Sequence, residues 1–255
     1  MKRLAIVVPY RDRAAHLECF TPHMRAYFSR DKADREISYR VLVIEQDSGS
    51  LFNRGALKNI GFVLAEPESD YTCFHDVDYL PIWADYSWAA LPTPIVWYGA
   101  EARPIAPGSA MKVIHNLARF FGGAVLIPND LYRRVNGCSN SYWGWGYEDG
   151  DLRRRFLAAG VKLGRRQGTF QALDHINEGF RPDGIPTPIA SVNRKLFESN
   201  ADHDVADDGL AQLDYEILDR RAIPDAKPER SAVWEIVRVR VRLKPMLDQI
   251  RATSV

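Results

Sequence analysis

An α/β domain built around a largely parallel sheet is the fold class that this sequence predicts, and three observations carry it. Continuous apolar runs at Leu4 to Val8, Tyr39 to Ile44 and Tyr71 to Phe74 read as strands buried on both faces. Between them lie helical stretches, from about Arg13 to Phe28 and from Phe52 to Leu64. Strand, helix, strand, helix, strand is the pattern of one half of a doubly wound sheet. Ligands of such sheets sit beyond the carboxyl ends of the strands, where Pro9-Tyr10-Arg11 and Asp76-Val77-Asp78 fall.

The elements continue downstream. Phe120 to Ile127 reads as a strand in which Gly122-Gly123 lets backbone or ligand approach closely. A short helix from about Asn129 to Val135 closes at Asn136-Gly137, and another opens at Glu148-Asp149 and ends at Gly160. Glycine and proline recur from Asn177 to Asn193, so that segment reads as a long loop of the kind that serves as a lid. Val237 to Leu243 alternates Val and Arg with a strand's period of two. It reads as an edge strand protected by its arginines; the alternative is a basic face in peripheral contact with an anionic membrane.

A chain of 255 residues, 46% of them hydrophobic, suits one large domain. The expected division is a first half over 1–115, a second half over 116–200 with the lid at 177–193, and a C-terminal extension over 201–255. Lys plus Arg is 34 against 33 Asp plus Glu, so a net charge of +1 supplies no electrostatic ground for a nucleic-acid partner. Three cysteines, Cys19, Cys73 and Cys138, form neither a disulfide framework nor a zinc motif. Without a signal-peptide pattern or a run of ~18 apolar residues, the expected location is cytoplasmic.

Asp76 and Asp78 leave a buried strand as hard oxygen ligands of the kind Mn²⁺ or Mg²⁺ prefers. A departing diphosphate needs such a cation to absorb its charge. Arg11, Arg13 and Arg54, just beyond strand ends, are suited to clamping phosphate. Trp143-Gly144-Trp145-Gly146-Tyr147 makes a poor strand and a poor helix, so it reads as a mobile aromatic loop whose rings suit the C–H faces of sugars. Glu148 and Asp149 follow at a helix start, where the dipole favours ionised carboxylates. They point about 100° apart, so they are expected to have separate tasks. His175, in Leu173-Asp174-His175 at the expected end of a strand, is placed to complete a metal shell.

These segments, in this order, resemble the β-1,4-galactosyltransferase family, glycosyltransferase family 7. The match runs through Val8 to Arg13, Phe52 to Phe62, Tyr71 to Phe74, Asp76 to Pro81, Phe121-Gly122-Gly123 and Asn136 to Asp151. The resemblance implies a GT-A-type, Rossmann-like fold with a mixed, mostly parallel central sheet. It also implies a UDP-sugar donor (UDP-galactose in most of the family), Mn²⁺, and inversion at the anomeric carbon. Carried over by position, Asp78 and His175 ligate the metal and Asp76 contacts the donor. Pro9, Tyr10, Arg11, Arg13, Phe52, Arg54, Val77 and Gly123 line the donor side, and Trp145 is the mobile loop tryptophan shared by donor and acceptor. Glu148 holds sugar hydroxyls and Asp149 is the general base. Tyr147 and Phe120 border the acceptor. The chain departs from its relatives at Ala172 and Leu173, where they supply a further Met or His ligand, and at Phe120, where many carry Tyr.

The function expected is transfer of a hexose from a UDP-sugar to a hydroxyl of a glycan or lipid-linked saccharide. The alternatives are a nucleotide-sugar hydrolase, which needs a second carboxyl as general acid, and a non-catalytic sugar-binding protein of the same fold.

Overall fold

The computed structural model describes residues 2–31, 37–96, 120–174, 179–181, 183–199, 205–224 and 233–244. Strand β1 (Arg3–Tyr10) runs through the middle of the molecule, with every residue after Arg3 buried. It is followed by helix α1 (Ala14–Asp31), strand β2 (Ser38–Gln46), helix α2 (Arg54–Ala65) and strand β3 (Tyr71–His75). The strands and helices expected over the first 75 residues are thus all present. Strands β4 (Tyr79–Ala84), β5 (Thr93–Pro94) and β6 (Ala124–Pro128) come next, then helices α3 (Asn129–Arg134) and α4 (Glu148–Ala158). Strand β7 (Gly168–Ala172), helix α5 (Pro188–Ser199) and strands β8 (Tyr215–Ala222) and β9 (Trp234–Val241) complete the described chain.

Seven strands form one sheet in the order β5-β6-β3-β1-β2-β9-β8. The central four, β3, β1, β2 and β9, are parallel; β6 and β8 flank them antiparallel, and β5, antiparallel to β6, again runs with the central four. Alternation along β1 divides the core. Leu4, Ile6 and Val8 pack with Phe20 and Met24 of α1 on one face, while Ala5 and Val7 pack with Leu57 and Ile60 of α2 on the other. β1 buries both faces because α1 covers one and α2 the other. The fold is an α/β, mixed-sheet domain of the GT-A type.

Helix α2 lies close on the sheet because Gly61 permits it. A Cβ there would overlap Val7 Cγ1 and press on Ile44 Cγ1 at 3.0 Å. Both neighbours are stiff β-branched side chains of central strands. Gly61→Ala is therefore expected to destabilise the protein by about 1–3 kcal/mol despite alanine's better helix propensity, an overpacking cost readable by urea melts. An unchanged midpoint would show that the helix shifts freely.

Several expectations are corrected. Val237 to Leu243 is not an edge strand: β9 lies between β2 and β8, and the edge is β8, which gave no comparable periodic signal. Arginines there meet carboxylates, Arg240 with Asp47 at 2.9 Å and Arg242 with Glu216 at 3.0 Å. The long loop read from Asn177 to Asn193 ends early, because α5 starts at Pro188. Proline suits a first helical turn, where its missing N–H costs nothing. The strand read from Phe120 begins only at Ala124, since Gly123 has a positive φ of 76°. The small antiparallel pair β4-β7 was not anticipated. Among the described residues no helix is long and apolar enough to cross a membrane.

Candidate active site

The carboxyl ends of β1 and β3 open into a cleft of about 170 Å³. It is lined by Pro9, Arg11, Asp12, Arg13, Phe52, Arg54, Asp76, Val77, Asp78, Gly144 and Trp145. Local bonds fix each contributor. Arg11 Nη1 donates to the Ser50 carbonyl (2.7 Å), and its guanidinium lies over the Phe52 ring at 5.3 Å. Asn53 caps α2 by accepting from Ala56 N (2.8 Å), which places Arg54 at the helix start. Asp76 N donates to the Gly123 carbonyl (2.7 Å), and Leu173 N to the Asp78 carbonyl (2.7 Å). The acidic turn is thereby held between the β6 entrance and the end of β7.

Charge is concentrated at the inner end. Arg54 Nη1 stands 3.6 Å from Asp76, 3.2 Å from Glu148 and 3.9 Å from Asp149. Lys58, one turn further along α2, forms a close ion pair with Asp149 Oδ1. Burial works against the Arg54 charge, but Asp76, Glu148 and Asp149 outweigh it and hold the guanidinium protonated. Asp76 is pushed up to about 6, first by burial and then by its neighbours Asp78 and Asp149, with Arg54 opposing. Four carboxylates thus face two cations. That negative surplus, with a buried Asp78 on the cleft wall, suits a divalent cation made welcome by hard oxygen donors. Among the described residues no three His, Cys, Asp or Glu side chains close on a common point.

The aromatic loop is anchored from behind. Trp143 is a core residue, 1% exposed, whereas Trp145 borders the cleft. Gly144 N donates to the Phe52 carbonyl (2.6 Å). Buried Asn193 of α5 donates to the carbonyls of both Trp143 and Trp145, each at 2.9 Å. Gly179 lies flat on the Trp145 indole, where a Cβ would overlap the ring, and Phe180 meets that ring edge-on at 5.4 Å.

Comparison with known proteins matches residues 1–88 to the N-terminal region of glycosyl transferase group 7. Residues 105–178 match the model described as the N-terminal domain of galactosyltransferase. The chain belongs to glycosyltransferase group 7. Human β-1,4-galactosyltransferase 7 is 32% identical over 226 residues, covering 87% of this chain and 63% of the relative. The Drosophila melanogaster enzyme of that name is 31% identical over 222 residues, 85% of this chain and 63% of the relative. The chain spans somewhat under two thirds of the length of these relatives. Among solved structures, the catalytic domain of Drosophila β-1,4-galactosyltransferase 7 with xylobiose superposes with a TM-score of 0.73 at 27% identity over 96% of both chains. A mutant of the same enzyme, in complex with manganese, UDP-Gal and xylobiose, gives 0.71 at 26% identity, again over 96% of both.

In this group 7 chain the cleft gathers most of the donor-side residues expected from sequence: Pro9, Arg11, Arg13, Phe52, Arg54, Asp76, Val77 and Trp145, with Asp78. Glu148 and Asp149 adjoin it through Arg54, which both approach, and Asp149 alone also pairs with Lys58. Tyr10 does not reach the cleft wall; it is a core side chain, 7% exposed. Gly123 acts through its carbonyl, from behind Asp76. Tyr147 turns towards α5 and packs on Phe197 at 5.4 Å. Phe120 lies beside Gly122 and Gly123, and its carbonyl accepts from Arg165 at 3.1 Å. His175 lies outside the described residues, although the chain two positions before it is bonded to Asp78. Sequence reasoning missed Lys58 and Asn193. A lysine within an otherwise apolar helical face is the signal that would have found the first.

His75, next to the acidic turn, is fully buried and neutral, pulled down to about 4 chiefly by burial. Its Nδ1 donates to the Asp76 carbonyl (2.9 Å), and Tyr86 Oη donates to Nε2 at 2.8 Å. Between pH 6.5 and about 4 the unfolded His binds a proton that the folded one refuses, so its contribution to stability falls as pH falls. Asp76 has the opposite sign from its ordinary value up to about 6, because there the folded state holds the extra proton. The two offset one another in the intact protein. His75→Gln is expected to remove the His component, so that its stability deficit at pH 7 narrows by pH 4.5; a constant deficit in denaturant melts would contradict this.

Proposed function

We propose that this chain transfers galactose from UDP-galactose to a hydroxyl of a glycan acceptor, with inversion, using Mn²⁺ held by Asp78 and His175. The observation that carries the reading is the convergence of Glu148 and Asp149, from behind the wall, and Asp76, on it, upon Arg54, in a cleft also lined by arginines and aromatic rings. It agrees with the UDP-Gal, manganese and xylobiose in the complex of the Drosophila relative.

Arg11 and Arg13 face the diphosphate, and Phe52, already stacked under Arg11, borders the nucleotide. Asp78 and His175 would hold the cation, which when bound supplies positive charge to the departing UDP. Trp145, with Gly179 and Phe180 against it, closes the cleft against water, which would otherwise hydrolyse the donor. Glu148, fixed by Arg54, orients sugar hydroxyls. Asp149 takes the proton of the acceptor hydroxyl as its oxygen attacks the anomeric carbon opposite UDP. Asp76 touches the donor from the strand side.

The test is turnover of UDP-galactose with Mn²⁺ on xylobiose, on other β-xylosides and on lipid-linked saccharides, with the anomeric configuration of the product read by NMR. A β-galactoside from the α-linked donor supports the proposal. Free galactose as the sole product would identify a hydrolase. Donor binding without turnover on any acceptor would identify a binding protein.

A further inference from the structure

Lys58 is the most unusual side chain near the cleft. It sits inside α2, a helix with nine of its twelve residues buried, and is itself 4% exposed. A lysine so placed loses hydration worth several kcal/mol unless a carboxylate compensates it. The compensation comes from Asp149, whose Oδ1 it pairs with closely. Burial opposes the ammonium charge, and Asp149, above all other groups, restores it.

The same carboxylate is constrained on its other side. A Cβ at Gly122 would overlap Asp149 Oδ2, so the Gly122 backbone lies directly against that oxygen. Oδ2 is also the oxygen nearest Arg54, at 3.9 Å. The two oxygens therefore differ: Oδ1 is tied to a buried ammonium carried by a core helix, and Oδ2 lies towards the guanidinium that lines the cleft.

We propose that Lys58 is a positioning residue for the base: by anchoring Oδ1 it fixes the Asp149 rotamer and leaves Oδ2 as the one oxygen presented to the acceptor hydroxyl. This rests on the galactosyl-transfer reading above. Because Asp149 opens α4 behind a glycine-rich loop, its backbone alone does not fix the carboxylate. A tether from α2, packed on the central sheet, supplies that rigidity. Lys58 does not line the cleft and pairs with Asp149, so it is placed to act through that carboxylate.

The experiment measures kcat and KM for UDP-galactose and xylobiose with Mn²⁺, for wild type, Lys58→Met, Lys58→Arg, Asp149→Asn and the double variant. Methionine keeps the stem volume and removes the charge. The expected result is a 10- to 100-fold lower kcat for Lys58→Met with the UDP-galactose KM within about threefold of wild type. Lys58→Arg is expected to recover part of the loss, and Lys58→Met to add nothing in the Asp149→Asn background. Should Lys58→Met fail to fold in a thermal melt, Lys58→Gln takes its place in the same comparison. A folded neutral variant within twofold of wild-type kcat, or a loss that multiplies with that of Asp149→Asn, overturns the proposal. A wild type inactive on xylobiose with UDP-galactose would instead count against the transfer reading, which separates the two failures.

Discussion

Asp149→Asn is expected to lower kcat by ~10²-fold or more while UDP-galactose and Mn²⁺ bind as before. The substitution keeps the shape of the side chain and the start of α4, and removes the charge and basicity that a general base requires. None of the residues lining the cleft is altered, so calorimetric donor affinity is expected to stay within a few-fold of wild type. Folding does not escape entirely. Lys58 is left buried beside an amide in place of a carboxylate, which is expected to cost about 3–5 kcal/mol in denaturant melts. Full turnover in a folded Asp149→Asn protein would strip Asp149 of its role and return attention to Glu148.

Asp78→Ala is expected to abolish the metal-dependent part of donor binding. In wild type, calorimetry with UDP-galactose is expected to show at least tenfold tighter binding with Mn²⁺ than with a chelator; in the variant the two affinities converge. The physical ground is the surplus of carboxylates around Arg54 and Lys58, in which Asp78 is the buried acid on the cleft wall. Equal affinity with and without Mn²⁺ in wild type would end the assignment of a metal to this turn.

Much of the fold was legible because the first half of the chain obeys simple periodicities. β1, β2 and β3 are unbroken apolar runs, and a strand buried on both faces leaves no other pattern. The acidic turn could be placed at a strand end on the same grounds. β8 escaped because Tyr-Glu-Ile-Leu-Asp-Arg-Arg-Ala is largely solvent-facing and carries no apolar alternation to mark it as a strand. β9 was recognised as a strand but misplaced, since the Val–Arg alternation reports one wet face and not which neighbours flank it. At the site, acids and arginines were readable as residue types that nucleotide-sugar chemistry needs. Lys58 was not, because its meaning lies in a contact 91 positions away. Tyr10 was read into the cleft from its position beside Arg11, yet alternation along β1 turns it into the core.

The position of β9 bears on how the chain is made. Among the described residues, the edge of β2 at Val41–Gln46 is satisfied by Trp234–Val239, which leave the ribosome roughly two hundred residues later. At translation rates of ~5–20 residues per second that is some ten to forty seconds during which a buried-type strand stands with one side unpaired. During that interval β2 is an adhesive edge able to recruit another chain. Nascent copies are thus vulnerable to aggregation from the emergence of β2 until β9 follows, and a truncation before Trp234 would make that transient exposure permanent.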